Sequence, residues 1–454
     1  MRRRSALLGI ALAASLGAGG CSDGGDESTP VPQPTATQMA ASGLAELPVA
    51  ADSGRIDLTA PPFSDPTDVT NPLFPISDLH SAVLNGRIDG KPFHTETTLL
   101  PYTRVIEWTP GQRVEALVSQ YVAFLDGRIQ EVALDYYAQA DDGSVWYFGE
   151  DVADYNPQGL IAFTTDSWLA GRDGPPAMIM PGDPKLGDSF RTENIPGVVF
   201  EEVTVKELGK TVRGPTGPVL GAMVGQELHD DGMKSDKVFA PGYGEFLTRD
   251  ADGVETMALA VPSDALDAPL PGELETLSRA ADRAFGAVRS EDWRAAAAAT
   301  QTATRAWDGY RRSGEVPPRL EPPMNRAIGA LSAAVRTRDR ERGGTAAIDV
   351  AQANLDLELR YRSPTEIDVA RFEQWSRQLT VDAQAGRLGA ARGDVVSMRL
   401  IRDRFAHDIP SAELTRIDTH LLALGEGVAD EDLAAVAAEA TRLRHTVAGL
   451  RAVS

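Results

Sequence analysis

Cysteine is almost absent from this sequence, since its 454 residues contain only Cys21. A single thiol excludes an internal disulfide, so hydrophobic cores must supply the stability of the folded chain. Long apolar runs are lacking as well, and a bilayer-spanning helix needs about 20 apolar residues. The apolar segment at residues 6–16 is too short for that role and predicts a removable export signal.

The sequence also lacks the common motifs of nucleotide binding, serine hydrolysis and metal binding. No glycine-rich loop ends in Gly-Lys-Ser or Gly-Lys-Thr, and no Gly-x-Ser-x-Gly elbow is present. The six histidines are scattered and stand in neither a Glu-x-x-His nor a His-Glu-x-x-His spacing. The sequence therefore predicts no cofactor and no metal site, and it assigns no catalytic residue. A hydrolase stays open, because its residues can converge from distant positions.

Positive charge is scarce in the first part of the chain. The formal net charge is -22, and almost all of the acidic excess precedes residue 265. After that position acids and bases nearly balance, and every base is an arginine. An acidic surface repels phosphate, so we expect no nucleic-acid partner. Solubility explains such a surface, and the recruitment of cations is the alternative interpretation.

The N-terminus has the three regions of an export signal. Three arginines at residues 2–4 precede the apolar segment, and Leu16-Gly17-Ala18-Gly19-Gly20-Cys21 follows it. This arrangement resembles the bacterial lipoprotein signal, with alanine where leucine is commonest three residues before the cysteine. The resemblance implies that residues 1–20 are removed and that Cys21 carries the lipid. The mature protein would then be anchored to the cell membrane, on its extracytoplasmic side.

Residues 21–61 follow the predicted signal and lack hydrophobic periodicity. They are rich in glycine, proline, serine, threonine and aspartate. Such a composition buries too little surface to offset the entropy of ordering. It predicts a disordered tether between the lipidated cysteine and the first folded domain.

Residues 62–264 have the short alternating runs of β-strands. Asn85-Gly86, Asp126-Gly127 and Asp142-Gly143 predict tight turns, because both residues of a two-residue hairpin loop need positive φ. The last two turns would join three strands into an antiparallel meander. The pattern predicts an antiparallel β-rich domain, as a curved sheet, barrel or sandwich.

Four stretches within this part occur in a recognisable order. They are Asn71-Pro72-Leu73-Phe74-Pro75, then Tyr136-Tyr137-Ala138-Gln139 with Gly143-Ser144-Val145-Trp146-Tyr147-Phe148-Gly149-Glu150, then Met180-Pro181-Gly182-Asp183-Pro184-Lys185-Leu186-Gly187-Asp188-Ser189-Phe190, and Phe239-Ala240-Pro241-Gly242-Tyr243-Gly244. Together they resemble a domain of secreted bacterial proteins of uncharacterised function, over roughly residues 70–260. The resemblance implies an exported β-rich fold and carries no catalytic residue or substrate.

Residues 265–454 change to helical periodicity and predict an all-α bundle that completes an α+β multidomain chain. Ser363-Pro364-Thr365-Glu366 is a helix start signal, with a capping serine and a glutamate three residues later. The predicted helices cover residues 273–289, 291–312, 322–340, 345–361, 364–385, 391–407, 411–425 and 430–451.

Aromatic residues are concentrated near the middle of the predicted β-domain. Tyr136, Trp146 and Trp168 are candidates to face a ligand, while packing in the core is the alternative for each. The function that these features favour is a membrane-anchored envelope lipoprotein with a non-catalytic binding or scaffolding role. Its partners would be the membrane, through the lipid, and an envelope protein or a hydrophobic ligand. The alternatives are a carrier of a hydrophobic ligand and an enzyme that acts on cell-envelope polymers.

Overall fold

An antiparallel sheet occupies the first part of the chain and helices the second, which confirms the predicted α+β class. The computed structural model describes residues 28–163 and 166–450. Cys21 and the predicted signal lie outside the described residues.

Within the described residues, the large sheet has 14 strands. They are β3 (Ser81–Ile88), β4 (Lys91–Thr109), β5 (Gln112–Leu125), β6 (Arg128–Gln139), β7 (Val145–Tyr155), β8 (Ile161–Phe163), β9 (Trp168–Leu169), β10 (Ala177–Met180), β11 (Ser189–Ile195), β12 (Val199–Arg213), β13 (Pro218–His229), β14 (Lys234–Ala240), β15 (Gly244–Arg249) and β16 (Gly253–Val261). Their order is β10-β7-β6-β5-β4-β3-β16-β15-β14-β13-β12-β11, with β8 and β9 paired to β7.

The sheet curls until its two ends lie against each other. Strands β10 and β11 end the strand order, yet they are in contact. Within the described residues no backbone ladder joins β10 to β11, so the sheet is strongly curved but not closed. Of the three architectures that the sequence allows, the structure has the curved sheet.

One of the predicted turns is wrong. Asn85 and Gly86 lie inside β3, and the turn after that strand is formed by Asp89 (φ 51°) and Gly90 (φ 74°). Gly86 is needed for a different reason, because a Cβ there would lie 1.8 Å from the carbonyl oxygen of Val254 on β16. The predicted turns at residues 126–127 and 142–143 are present, and they join β5, β6 and β7 into the expected meander.

Residues 28–61 differ from the predicted tether. Strand β1 (Thr29–Pro30) pairs with β2 (Thr59–Ala60), and helix α1 (Ala36–Ala41) lies between them. The side chain of Leu44 is fully buried, and Arg55 and Asp57 are buried as well. The guanidinium of Arg55 donates to both carboxylate oxygens of Asp57, so a salt bridge and a few apolar contacts order a segment of polar composition.

Eight helices follow the large sheet among the described residues. They are α2 (Gly272–Arg289), α3 (Trp293–Arg311), α4 (Glu321–Thr337), α5 (Arg340–Glu358), α6 (Pro364–Gln384), α7 (Leu388–Phe405), α8 (Ser411–Ala429) and α9 (Leu433–Leu450). Each begins and ends within five residues of its predicted bounds, and Ser363 caps α6 with the predicted capping box. No helix in residues 28–450, as far as they are described, is apolar over enough length to cross a bilayer.

The helices pack against the outer face of the curved sheet. Phe124 of β5 stacks on Trp375 of α6 with ring centroids 5.3 Å apart. Glu96 of β4 accepts hydrogen bonds from the guanidinium groups of Arg371 and Arg404, which lie on α6 and α7. One continuous hydrophobic cluster contains residues of β3, β16 and helices α2 to α6. The sheet and the helices therefore share a core.

A cavity lined by carboxyl groups

The alternation of strand residues decides which side chains reach the interior of the curved sheet. On β6, Val132 belongs to the outer apolar cluster that contacts Trp375. Its neighbours in the alternation, Glu131, Ala133 and Asp135, therefore point inward. The helices occupy the outer face, so the inner face is where a ligand could be enclosed.

The interior contains a cavity of about 330 Å³. Its apolar wall comes partly from the segment between β2 and β3, which contributes Phe74, Ile76 and Leu79. We call the acidic part of the lining the acidic wall, and the basic residue in the lining is Lys237. The acidic lining residues are Glu131, Asp135, Glu150, Glu245 and Glu255. This volume is at the lower end of the range for small-molecule sites, which is about 300 to 1,000 Å³.

The acidic wall continues beyond the cavity along the inner face of the sheet. We call the following set the carboxylate belt: Glu131, Asp135, Glu150, Glu193, Glu201, Glu227, Glu245 and Glu255. Glu150 on β7 hydrogen-bonds to Glu193 on β11, although these strands lie near opposite ends of the strand order. The curl of the sheet is what brings the members of the belt together.

Asp135 and Glu150 are paired across β6 and β7. Burial and the charge of Glu150 raise the pKa of Asp135 to about 8, against a hydrogen bond of 2.7 Å from the Tyr147 hydroxyl. Burial likewise raises the pKa of Glu150 to about 7, although hydrogen bonds from Glu193 and Tyr147 oppose the shift. Both groups can therefore hold protons near neutral pH.

Two more cavity residues behave in the same way. Burial and the nearby charges of Asp154 and Asp135 raise the pKa of Glu131 to about 7. Burial raises the pKa of Glu255 to about 7, although the Thr95 hydroxyl donates a hydrogen bond to it. A cation that entered the cavity would remove the cause of these shifts, because it would stabilise the ionised carboxylates.

The belt continues past Lys237 into a compact group of three side chains. Glu201 on β12 is directly opposite His229 on β13, and Glu227 lies two residues before His229, so all three share one face. One potential ligand atom from each of the three lies within 4.8 Å of the others. Lys237 Nζ is 3.2 Å from Glu227 Oε2.

Opposite pKa shifts separate the two carboxyl groups of this cluster. Burial works against the charge of Glu201, but the His229 hydrogen bond and the charge of Lys237 outweigh it and lower its pKa to about 2. Burial and the charge of Glu201 raise the pKa of Glu227 to about 7. The hydrogen bond to Glu201 raises the pKa of His229 as well. A carboxylate, a carboxylic acid and an imidazole therefore meet here.

The aromatic candidates from the sequence do not line the cavity. Trp146 and Trp168 are fully buried in the hydrophobic core, and Trp146 Nε1 donates to Ser144 Oγ at 2.9 Å. Tyr136 lies on the outer face of β6, where its hydroxyl donates to Asp151 and its ring stacks under Arg104. These placements correspond to the core-packing alternative for both indoles. The aromatic residues that do line the cavity are Phe74, Tyr121, Tyr137 and Tyr243.

Sequence reasoning missed the belt, because its members come from seven strands spread over residues 131–255. One signal was present, since Glu201 and Glu202 are neighbours on a strand and must face opposite sides. The structure places Glu201 in the belt, while Glu202 accepts a hydrogen bond from Arg191. His229 did not stand out in the sequence, because it belongs to no histidine motif. Its partners are Glu201 on the neighbouring strand and Glu227 two residues before it.

No family model and no curated protein matches the chain. The resemblance of residues 70–260 to secreted bacterial proteins and the lipoprotein signal therefore stay predictions from the sequence.

Proposed function

We propose that the protein is an exported, lipid-anchored binding protein that holds a small amphipathic cation inside its curved sheet. The observation that carries this proposal is the cavity of about 330 Å³, whose lining combines apolar side chains with five carboxyl groups. The binding role is non-catalytic and combines two interpretations from the sequence, a binding protein and a carrier of a ligand with an apolar body.

The charge of the acidic wall selects the sign of the ligand. Five carboxyl groups line the cavity, and among its described lining residues the one basic group is Lys237. Lys237 is already engaged, at 3.2 Å from Glu227 and 3.7 Å from Glu245. An anion would meet carboxylates without a free cationic partner, whereas an ammonium group could replace the protons that the carboxyl groups hold.

The apolar wall selects the body of the ligand. Phe74, Ile76, Leu79 and Leu99 offer aliphatic and aromatic surface, and such surface contributes about 25 cal/mol per Å² when a ligand covers it. A hydrated metal ion alone would leave this wall exposed to water. A primary amine with an alkyl chain matches both walls.

Binding of octylamine, octanol and octanoate tests this selection, because the three share one chain length and differ in the head group. We expect isothermal titration calorimetry to show the tightest binding for octylamine. Asp135→Asn and Glu255→Gln should each weaken it by about tenfold or more, the effect of a lost charged hydrogen bond. Asp236→Asn, at an exposed position on β14, is the control and should bind as the wild type does. Equal binding of octanoate would contradict the proposal.

The anchor is a separate part of the proposal. It is supported by the arginines, the apolar segment and the residues before Cys21. Cys21→Ala should leave the protein unprocessed or released, and fractionation of host membranes with an intact-mass measurement checks this. A Cys21→Ala protein that is processed and membrane-bound like the wild type would contradict the anchor without touching the cavity.

One observation favours the alternative of an enzyme acting on cell-envelope polymers. Asp135 and Glu150 are paired carboxyl groups with pKa values raised to about 8 and about 7, which suits a general acid. The cavity volume fits a small molecule better than a polymer chain. Release of soluble fragments from purified cell walls, lost in Asp135→Asn, would favour the enzyme over the binding protein.

A further inference from the structure

The group formed by Glu201, Glu227 and His229 is separate from the cavity, since none of the three lines it. Adjacent antiparallel strands hold all three side chains on one face. His229 Nδ1 is 3.1 Å from Glu201 Oε1, and His229 Nε2 is 3.6 Å from Glu227 Oε2. The backbone of the sheet therefore fixes three potential ligands at short range.

A second observation concerns one atom of Glu227, whose residue is only 1% exposed. Its Oε2 accepts from Ser235 Oγ and lies 3.2 Å from Lys237 Nζ. Its Oε1 is buried and receives no hydrogen bond from a donor group in the part of the chain that is described. The hydrogen bond between Glu227 and Glu201 joins two carboxyl groups and therefore requires a proton between them. A bound cation would take the place of that proton and satisfy both carboxylates.

The types of the ligands indicate which cation fits. Imidazole nitrogens and carboxylate oxygens are both ligands of Zn²⁺, and sites with three protein ligands keep water in the fourth position. Ligand atoms about 2 Å from a tetrahedral ion lie about 3.3 Å apart, so side-chain shifts of about 1.5 Å or less would close the group. Calcium is a poorer match, since it takes about 6 to 8 oxygen ligands.

The surrounding charges are compatible with a divalent ion. Lys237 contacts Glu227 Oε2 and Glu245, whereas the oxygen of Glu227 without a donor is Oε1. Glu193 on β11 and Glu150 on β7 are further carboxyl groups next to the site. The acids of the carboxylate belt therefore outnumber the basic groups described around it.

We propose that Glu201, Glu227 and His229 form a binding site for one divalent transition-metal ion of the Zn²⁺ class, separate from the cavity. Glu227 contributes Oε1, while Lys237 and Ser235 hold its Oε2. Ser235 also contacts His229 Nε2 at 3.0 Å, which leaves Nδ1 facing Glu201 as the metal-binding nitrogen.

Titration of the full chain with Zn²⁺ alone tests the site, after removal of bound metal with a chelator. Every protein carries Cys21→Ser, so that the thiol cannot contribute. We expect one Zn²⁺ per chain, and we expect Glu227→Gln and His229→Gln to weaken binding by about a hundredfold. Loss of a residue that only hydrogen-bonds a metal ligand weakens metal affinity by up to about a hundredfold. Loss of a ligand itself should therefore weaken it by at least that factor.

The matched control is His94→Gln, because His94 also contacts a glutamate, with Nε2 at 3.3 Å from Glu96 Oε1. This variant should bind Zn²⁺ as the parent does. Equal affinity of the parent, Glu227→Gln and His229→Gln would overturn the proposal, and so would the absence of stoichiometric binding.

X-ray absorption at the zinc edge of the parent protein needs no variant at the site. We expect a single imidazole among oxygen ligands. A spectrum with two or more imidazoles would assign the ion to other histidines and would overturn the proposal. Neither measurement depends on an amine in the cavity, so the two proposals can fail separately.

Discussion

At the residue scale, Gly86 shows how one missing side chain allows two strands to approach. A Cβ at this position would lie 1.8 Å from the carbonyl oxygen of Val254. Gly86→Ala should therefore lower the free energy of unfolding by about 3 kcal/mol, since backbone must move to relieve the contact. Urea unfolding followed by circular dichroism measures the change.

Gly286→Ala provides the control for that substitution. Gly286 lies on the exposed side of α2, and in the described structure a Cβ there meets no atom within 4 Å. Alanine should stabilise the helix by about 0.5 to 1 kcal/mol. Equal effects of the two substitutions would contradict the close approach of β3 and β16.

The stability of the fold should also depend on the protonation of Asp135. Its pKa is raised to about 8 by burial, while that of an unfolded aspartate is about 3.9. The folded state therefore binds the extra proton, and its contribution is complete below pH about 4 and is lost as the pH rises to about 8. The free energy of unfolding should fall by up to about 1.4 kcal/mol per pH unit within this window.

Asp135→Asn isolates this contribution, because asparagine keeps an acceptor for the Tyr147 hydroxyl and does not titrate. Urea unfolding at pH about 5 and about 8 should show the variant gaining stability relative to the wild type as the pH rises. Asp236→Asn, on an exposed side chain, should differ from the wild type by the same amount at both values. A pH-independent difference for Asp135→Asn would refute the raised pKa.

At the element scale, the sequence predicted helices better than strand partners. Helix α6 could be placed within a residue, because its start signal and periodicity are local. Strand β3 was interrupted by a false turn, since Asn85-Gly86 has the chemistry of a hairpin loop and only contact with β16 explains the glycine. The residues next to Gly86 in the sequence do not indicate which other strand will pack against it.

Helix α7 carries two arginines whose surroundings differ. Arg404 is buried and donates to Glu96 and to Gln120, while Arg402 forms a bidentate pair with Asp418 on a partly exposed surface. Arg404→Met should cost about 3 kcal/mol or more, since Glu96 on β4 and Gln120 on β5 each lose a buried donor, although Arg371 still contacts Glu96. Arg402→Met should cost about 1 kcal/mol or less. Urea unfolding of both variants checks this ranking, and equal costs would contradict the buried connection.

At the scale of the whole molecule, the shared core predicts that sheet and helices unfold together. Val83, Ala258 and Leu259 of the sheet belong to the same hydrophobic cluster as α2 to α6. Far-ultraviolet circular dichroism and tryptophan fluorescence should report the same denaturation midpoint. Arg404→Met should lower the midpoint measured by each method by the same amount. Separate midpoints for the helices and the sheet would contradict a single cooperative unit.

The candidate site could not be predicted from single residues or single elements, because it forms only when the whole sheet is folded. The acidic excess before residue 265 was visible in the sequence, and solubility explained it. Asp135, Glu193 and Glu255 are far apart along the chain, and only the curl of the sheet brings their strands around one interior. The negative charge of this part of the chain was predictable from the sequence, whereas the inward orientation of these carboxyl side chains was not.

The pairing of Thr29 with Ala60 sets a limit on how far the protein can stand from a bilayer. Eight peptide steps separate Cys21 from Thr29 along the chain. Even fully stretched, they reach no more than roughly 30 Å, about the thickness of the bilayer's own hydrocarbon layer. A lipid on Cys21 would therefore hold the β1–β2 pair close to the lipid headgroups. An amine that left the membrane would then have only a short distance to diffuse to the protein.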